Sequence, residues 1–298
     1  MILDPWRNRL WSYITCLMIT MQVTKVHGYK PVIILHGILD AAADLKHLEN
    51  FIKKAHPGTV VYSLDVYDHY ASLNPLWDQV EYIKNLTKSM MDSSEDGVHF
   101  IGYSQGGLIG RGLIQTSNEH KVNNFIALSS PLNGQFGDTS YLNALFPSTY
   151  KEKLYELFYS HYGQRWSIGN YWKDPHHKKL YGLYSSYLAL LNNESLKSDF
   201  SYQNSWQRNF QRLNNVVLIG GPDDGVISPW QSAQFACYNE REDVVPMRNL
   251  QIYKDDVFGL KSLDRRGSLH ECTMANVHHI YWHRTEAVFK KCIEPWLT

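Results

Sequence analysis

The chain has 298 residues, 44% of them hydrophobic and 19% charged, which is enough apolar material for a sizeable core and too much for intrinsic disorder. Lys+Arg and Asp+Glu both total 29, so the formal charge is zero and the usual electrostatic drive toward nucleic acid or anionic lipid is missing. Fourteen histidines would make the same chain strongly positive in an acidic compartment.

Residues 1–28 read as a targeting segment. Arg7 and Arg9 precede an apolar run of 14 residues, 10–23, too short for a comfortable span and suited to a signal-peptide core. Val26 and Gly28 are small enough for the −3 and −1 positions of a cleavage site; a short membrane anchor is the competing reading. No later stretch is long and apolar enough to span. The expectation is a secreted or lumenal protein with a mature chain over 29–298. Cys16 would leave with the signal, and Cys272 pairs naturally with Cys292 because both lie in the C-terminal segment. That bridge would close a 20-residue loop worth about 3 kcal/mol and leave Cys237 over. Sequons at Asn85 and Asn193 offer glycosylation sites in the same compartment.

Beyond the signal, short apolar runs at 31–36, 59–65, 98–102, 125–129 and 216–220 alternate with helix-length segments such as 76–91 and 107–116. Strand, helix, strand in this order predicts an α/β fold with a parallel sheet covered on both faces. The rhythm breaks over 132–214, a stretch of 83 residues that holds 18 of the 40 aromatics. A solvated linker would be polar, so this reads as an ordered, mostly helical insertion seated on the sheet. Its aromatics either roof an apolar ligand pocket or build a core of their own.

Gly102-Tyr103-Ser104-Gln105-Gly106 fits G-x-S-x-G, with the run 98–101 leading into it and a small-residue helix following. That context puts Ser104 on a sharp strand-to-helix turn, where the Gln105 N–H and the helix N-terminus face an anion developing beside it. A serine hydroxyl needs a base, and the base an orienting acid, in the chain order Ser, acid, His. Asp223 and Asp224 follow the run 216–220; Asp224, just before Gly225, is the better placed, and Asp223 reads as a turn residue. His270, His278, His279 and His283 qualify as base by order. A closing helix over 282–296 puts His283 at its start, and His270 falls before the loop, leaving His278 and His279, which spacing cannot separate. Paired histidines also raise a metal reading, but ligand spacing with nearby Asp, Glu or Cys is absent, and neither metal nor cofactor is expected. The second oxyanion donor should come from the loop His36-Gly37-Ile38, with the Ile38 N–H as candidate.

His36-Gly37, Gly102 to Gly107, Ser129-Ser130-Pro131, Gly220 to Val226 and Cys292 to Trp296, with Asn170-Tyr171-Trp172 and Asp174-Pro175-His176-His177, together resemble the palmitoyl-protein thioesterase family, and within it the lysosomal branch. The resemblance covers the chain from about Tyr29 onward. It implies an α/β-hydrolase fold and hydrolysis of long-chain fatty acyl thioesters in lysosomes, with a triad on Ser104, Asp224 and His279 and oxyanion amides at Ile38 and Gln105. The implied partners are a fatty acyl thioester and lysosomal sorting through glycans. One departure stands out. The family carries further paired cysteines at places where this chain has Gly110, Phe158 and Gly169. Two other readings remain at this level: an oxoester lipase or esterase, and a catalytically silent α/β-hydrolase that binds lipid or protein.

Overall fold

The computed structural model describes residues 28–137, 139, 153–197 and 199–298. The expected targeting segment, Gly28 apart, and Cys16 therefore lie outside the described residues. The six-stranded sheet has β1 (Val32–Leu35), β2 (Val61–Ser63), β3 (Val98–Tyr103), β4 (Val122–Leu128), β5 (Asn215–Gly220) and, last in sequence, Leu269–Thr273. Its order is β2-β1-β3-β4-β5 followed by Leu269–Thr273, and every pairing is parallel.

Parallel strands buried on both faces read as continuous apolar runs, which is why β1, β3, β4 and β5 stand out in the sequence. Their side chains alternate between two cores. On one side Ile33, Phe100, Phe125 and Leu218 meet α2 (Leu76–Asp92) and α3 (Gln105–Thr116). On the other, Ile34, Ile101, Ile126 and Ile219 meet α1 (Lys46–Ala55) and the closing segment through Trp282, Phe289 and Ile293. This sheet, wound with helices on both faces and carrying Ser104 on the turn between β3 and α3, is an α/β-hydrolase fold.

Between β4 and β5 the described chain is helical in short pieces: α4 (Leu154–Phe158), α5 (Ser167–Tyr171), α6 (Lys178–Tyr184), α7 (Leu188–Leu191) and α8 (Gln203–Gln211). It is pinned to the helices beneath it. Asn170 Oδ1 accepts the Leu76 N–H at 2.8 Å, and Trp77 Nε1 donates to the Ser186 carbonyl at 2.6 Å. The fully buried Arg111 donates to the carbonyls of Leu132 and Leu191 and to Asn192 Oδ1. Gly110 lies so close to the Phe100 ring that a Cβ would come 2.5 Å from Cε1, and a Cβ on Gly169 would meet the Gly163 carbonyl oxygen at 2.3 Å before reaching the buried Phe158.

Two features were not foreseen and one expectation changes. The sixth strand, Leu269–Thr273, and a two-stranded ribbon of β6 (Cys237–Tyr238) with β7 (Val244–Val245) were not legible; the sixth becomes β8 in chain order. Before it come α9 (Gln251–Lys254) and α10 (Leu260–Arg265). The single closing helix over 282–296 is instead a turn, then α11 (Glu286–Val288), a wider π-type turn over Phe289–Ile293 and a 3₁₀ turn over Glu294–Trp296. The disulfide Cys272–Cys292 joins β8 to that segment.

The acid charging implied by fourteen histidines is also smaller than composition suggests. Burial holds His99, His120 and His283 down at about 4, so in mild acid they stay neutral in the fold and charge only when it opens. A histidine depressed in this way binds its proton more readily unfolded. Stability is therefore full above pH 6.5 and falls until pH passes below about 4, by up to about 3 kcal/mol for each group. Urea unfolding followed across that interval should show a slope that reflects uptake of these three protons; a flat profile would contradict it.

Candidate active site

The strand order reverses between β1 and β3, since β2 lies on one side of β1 and β3 on the other. Loops leaving the carboxyl ends of the two strands diverge there and open a crevice. Ser104 leaves β3 and Ile38 follows β1, so both stand at this reversal.

Ser104 caps α3 with φ +52°, a left-handed value that costs a residue with a side chain and is kept because the surroundings fix it. The turn is tight enough that a Cβ on Gly106 would meet the carbonyl oxygens of Leu35 and His36 at 2.5 and 2.6 Å. The Gln105 N–H is the first of α3 and has no acceptor within the helix. The Gln105 side chain is braced on the Ser72 carbonyl at 2.7 Å, and His36 lies against the carbonyls of Gly37 (2.8 Å) and Val66 (3.0 Å).

His279 Nε2 lies 2.9 Å from Ser104 Oγ, and its Nδ1 lies 3.0 and 3.1 Å from the two carboxylate oxygens of Asp224. All three groups are buried. The base loop is also held through its backbone, where the His279 N–H donates to the Asp224 carbonyl at 2.9 Å and Tyr103 Oη donates to the His279 carbonyl at 2.9 Å. Asp224 Oδ1 accepts the Val226 and Ile227 N–H groups (3.0 and 2.7 Å), while Oδ2 accepts Ser129 Oγ (2.5 Å) and Trp282 Nε1 (2.7 Å). Burial alone would raise this carboxyl. The His279 ring, the Ile227 amide and the Ser129 hydroxyl outweigh it and hold the group at about 2.

The other histidines proposed by order stand elsewhere. His270 is in β8 with Nε2 3.0 Å from Asn215 Oδ1, His278 is exposed, and His283 packs edge-on against Tyr103. Asp223 accepts the Asn276 N–H at 2.6 Å as a turn residue. Among the described residues, no three His, Cys, Asp or Glu side chains group as metal ligands. Asn85 is exposed on α2, whereas Asn193 is half-buried with φ +57°. Cys237 is a free, half-buried thiol in β6, pushed up by burial.

Beside Ser104 a cleft is lined by Ile38, Pro131, Gln135, Ile168, Tyr171, Val226 and Ile227. It is mostly apolar, and the stretch 132–214 contributes a single aromatic to it, Tyr171. Half of the other described aromatics of that stretch, Phe158, Trp172, Tyr181 and Tyr187 among them, are buried in the core. A serine hydroxyl, an imidazole, a carboxylate and a mostly apolar groove converge at one rim, a constellation suited to acyl transfer.

Residues 31–279 match the sequence profile of the family described as palmitoyl protein thioesterase. The chain belongs to this family. It is 45% identical to the lysosomal thioesterase PPT2 of Rattus norvegicus over 98% of this chain and 99% of that protein. It is 40% identical to the lysosomal thioesterase PPT2 homolog of Drosophila melanogaster, covering 97% of each. Identity falls to 24% with palmitoyl-protein thioesterase 1 of Caenorhabditis elegans, over 88% of this chain and 91% of that one.

Two members of the site were not legible as such. Ser129 lies in a Ser-Ser-Pro stretch that carried the resemblance, but nothing local assigned it to Asp224; Trp282 read only as the start of a helix. Trp282→Phe removes a donor to a buried carboxylate and should cost on the order of 2 kcal/mol in urea unfolding. It should also raise the Asp224 pKa, so kcat/KM should drop at higher pH than in the wild type as the medium is acidified.

Proposed function

We propose that the protein is a lysosomal serine thioesterase that hydrolyses long-chain fatty acyl thioesters, such as palmitoyl-CoA and S-acylated cysteine, through an acyl-enzyme on Ser104. The observation that carries this is the 2.9 Å contact between Ser104 Oγ and the Nε2 of an imidazole anchored on Asp224. Family membership and relatives named lysosomal thioesterases support the substrate class and the compartment.

In this reading the acyl chain lies in the cleft walled by Ile38, Ile168 and Tyr171. Ser104 Oγ attacks the thioester carbonyl while its proton passes to His279 Nε2, and Asp224 stabilises the imidazolium that forms. The Ile38 and Gln105 N–H groups receive the oxyanion. Collapse of the intermediate breaks the C–S bond, and His279 returns its proton to the sulfur. Water, deprotonated by the same imidazole, then attacks the acyl-serine and releases the fatty acid. A thiol of pKa near 8.5 leaves more readily than an alcohol, so little special machinery is needed for departure. Asp224, held at about 2, stays ionised throughout the mildly acidic range in which this chemistry would operate.

The stretch 132–214 serves as a cap in this reading, with α5 roofing the acyl cleft. A glycan on the exposed Asn85 would serve lysosomal sorting, and residues 1–28 would direct entry into the secretory route.

Ser104→Ala should abolish both fluorophosphonate labelling and palmitoyl-CoA hydrolysis. The wild type should prefer palmitoyl-CoA over a long-chain oxoester at acidic pH. A clear preference for the oxoester would reject the thioesterase assignment, and failure of the folded wild type to label would reject a serine hydrolase altogether.

A further inference from the structure

Asp40 stands three residues past Gly37 on the loop leaving β1. It is half-buried, and its carboxyl has no hydrogen-bond partner among the described residues. The point where a Cβ on Gly37 would stand is 2.9 Å from Asp40 Oδ2 and 2.9 Å from Ser104 Cβ. Asp40 Oδ2 and Ser104 Cβ therefore face each other across that glycine, within twice this distance of one another, and Ser104 Oγ lies 3.4 Å from the same point. Asp40 does not line the acyl cleft, so it lies off the path of the fatty chain.

The groups acting on it are Asp44 on the 3₁₀ turn Ala42–Leu45, His36 at the end of β1, His279 on the base loop, and Arg284 on the closing segment. Arg284 lies 3.6 Å from Asp44. Burial first, then Asp44, raise the Asp40 carboxyl above its ordinary range against the opposing pull of His36, His279 and Arg284, as befits an acid short of partners.

A thioester with its chain in the cleft must direct its sulfur away from that cleft and toward His279, which returns the proton. The two thiols at issue share a chemical feature. In the cysteamine end of an acyl-CoA and in a cysteine residue, an amide N–H sits on the second carbon from sulfur. Drawn out of water at the rim, that donor needs an acceptor. We propose that Asp40 is this acceptor, a specificity-determining residue for leaving thiols that carry an amide two carbons from sulfur. The proposal rests on the thioesterase reading above. Alkyl alcohols leaving from simple fatty oxoesters have no such N–H, and a site built around a hydrogen bond disfavours analogues that lack it.

The test uses the full-length protein with two substrates, S-palmitoyl-N-acetylcysteamine and the S-ethyl thioester of palmitic acid, which has no amide. Asp40→Ala should lower kcat/KM about tenfold on the first and less than about twofold on the second. Asp40→Asn keeps a carbonyl acceptor and should recover most of the loss. Fluorophosphonate labelling of Ser104, which involves no amide, should proceed at the wild-type rate. If the alanine variant labels poorly, the asparagine variant carries the comparison through its ratio of the two substrates. Equal losses on both thioesters, or none on either, would overturn the proposal while leaving the thioesterase reading intact. A wild type that labels but cleaves neither thioester would overturn both.

Discussion

A carboxylate can remain charged in a protein interior only if its oxygens are filled, and at Asp224 this requirement organises the whole rim. Five donors from three places converge on it: Ser129 after β4, the Val226 and Ile227 amides after β5, and His279 and Trp282 beyond β8. The ends of neighbouring parallel strands must therefore keep register for the acid to stay ionised. The imidazole takes its orientation from that carboxylate, and the Ser104 hydroxyl faces the imidazole. Sheet geometry and catalytic geometry are in this sense a single constraint.

Legibility in the sequence followed burial. The strands β1, β3, β4 and β5 are sealed on both faces, so their apolar runs are continuous and announce themselves. β8 is an edge strand with alternating exposure, and His270 and Glu271 break the run that would have marked it. The closing helix was expected from the spacing of Trp282, Val288, Phe289 and Ile293. These residues do pack on the sheet, but the chain around His279 is tied by its backbone to Asp224 and Tyr103 and must turn before it can coil.

The site divides the same way. Ser104 is visible because a strand, a glycine turn and a helix are local features, and Asp224 follows from chain order and a tight turn. His279 and His278 are adjacent, so spacing could not separate them. One is buried on Asp224 and the other faces solvent, a difference created by contacts 55 residues away. The roles of Ser129 and Trp282 are invisible for the same reason, since each bonds to a residue 95 or 58 positions distant. The aromatic wealth of the insertion was legible as order but not as purpose. About half of its described rings are buried in the core, and Tyr171 alone among the described rings reaches the cleft beside Ser104.

Ser104 and His279 are separated by 175 positions, and the loop that carries His279 is closed by a bridge whose second half lies further on still, at Cys292. During synthesis the serine turn can fold against β1 and β3 while the imidazole is still inside the ribosome, since chains fold from the N-terminal side as they emerge. A serine turn formed early therefore faces no imidazole until the chain beyond β8 has emerged and docked on Asp224.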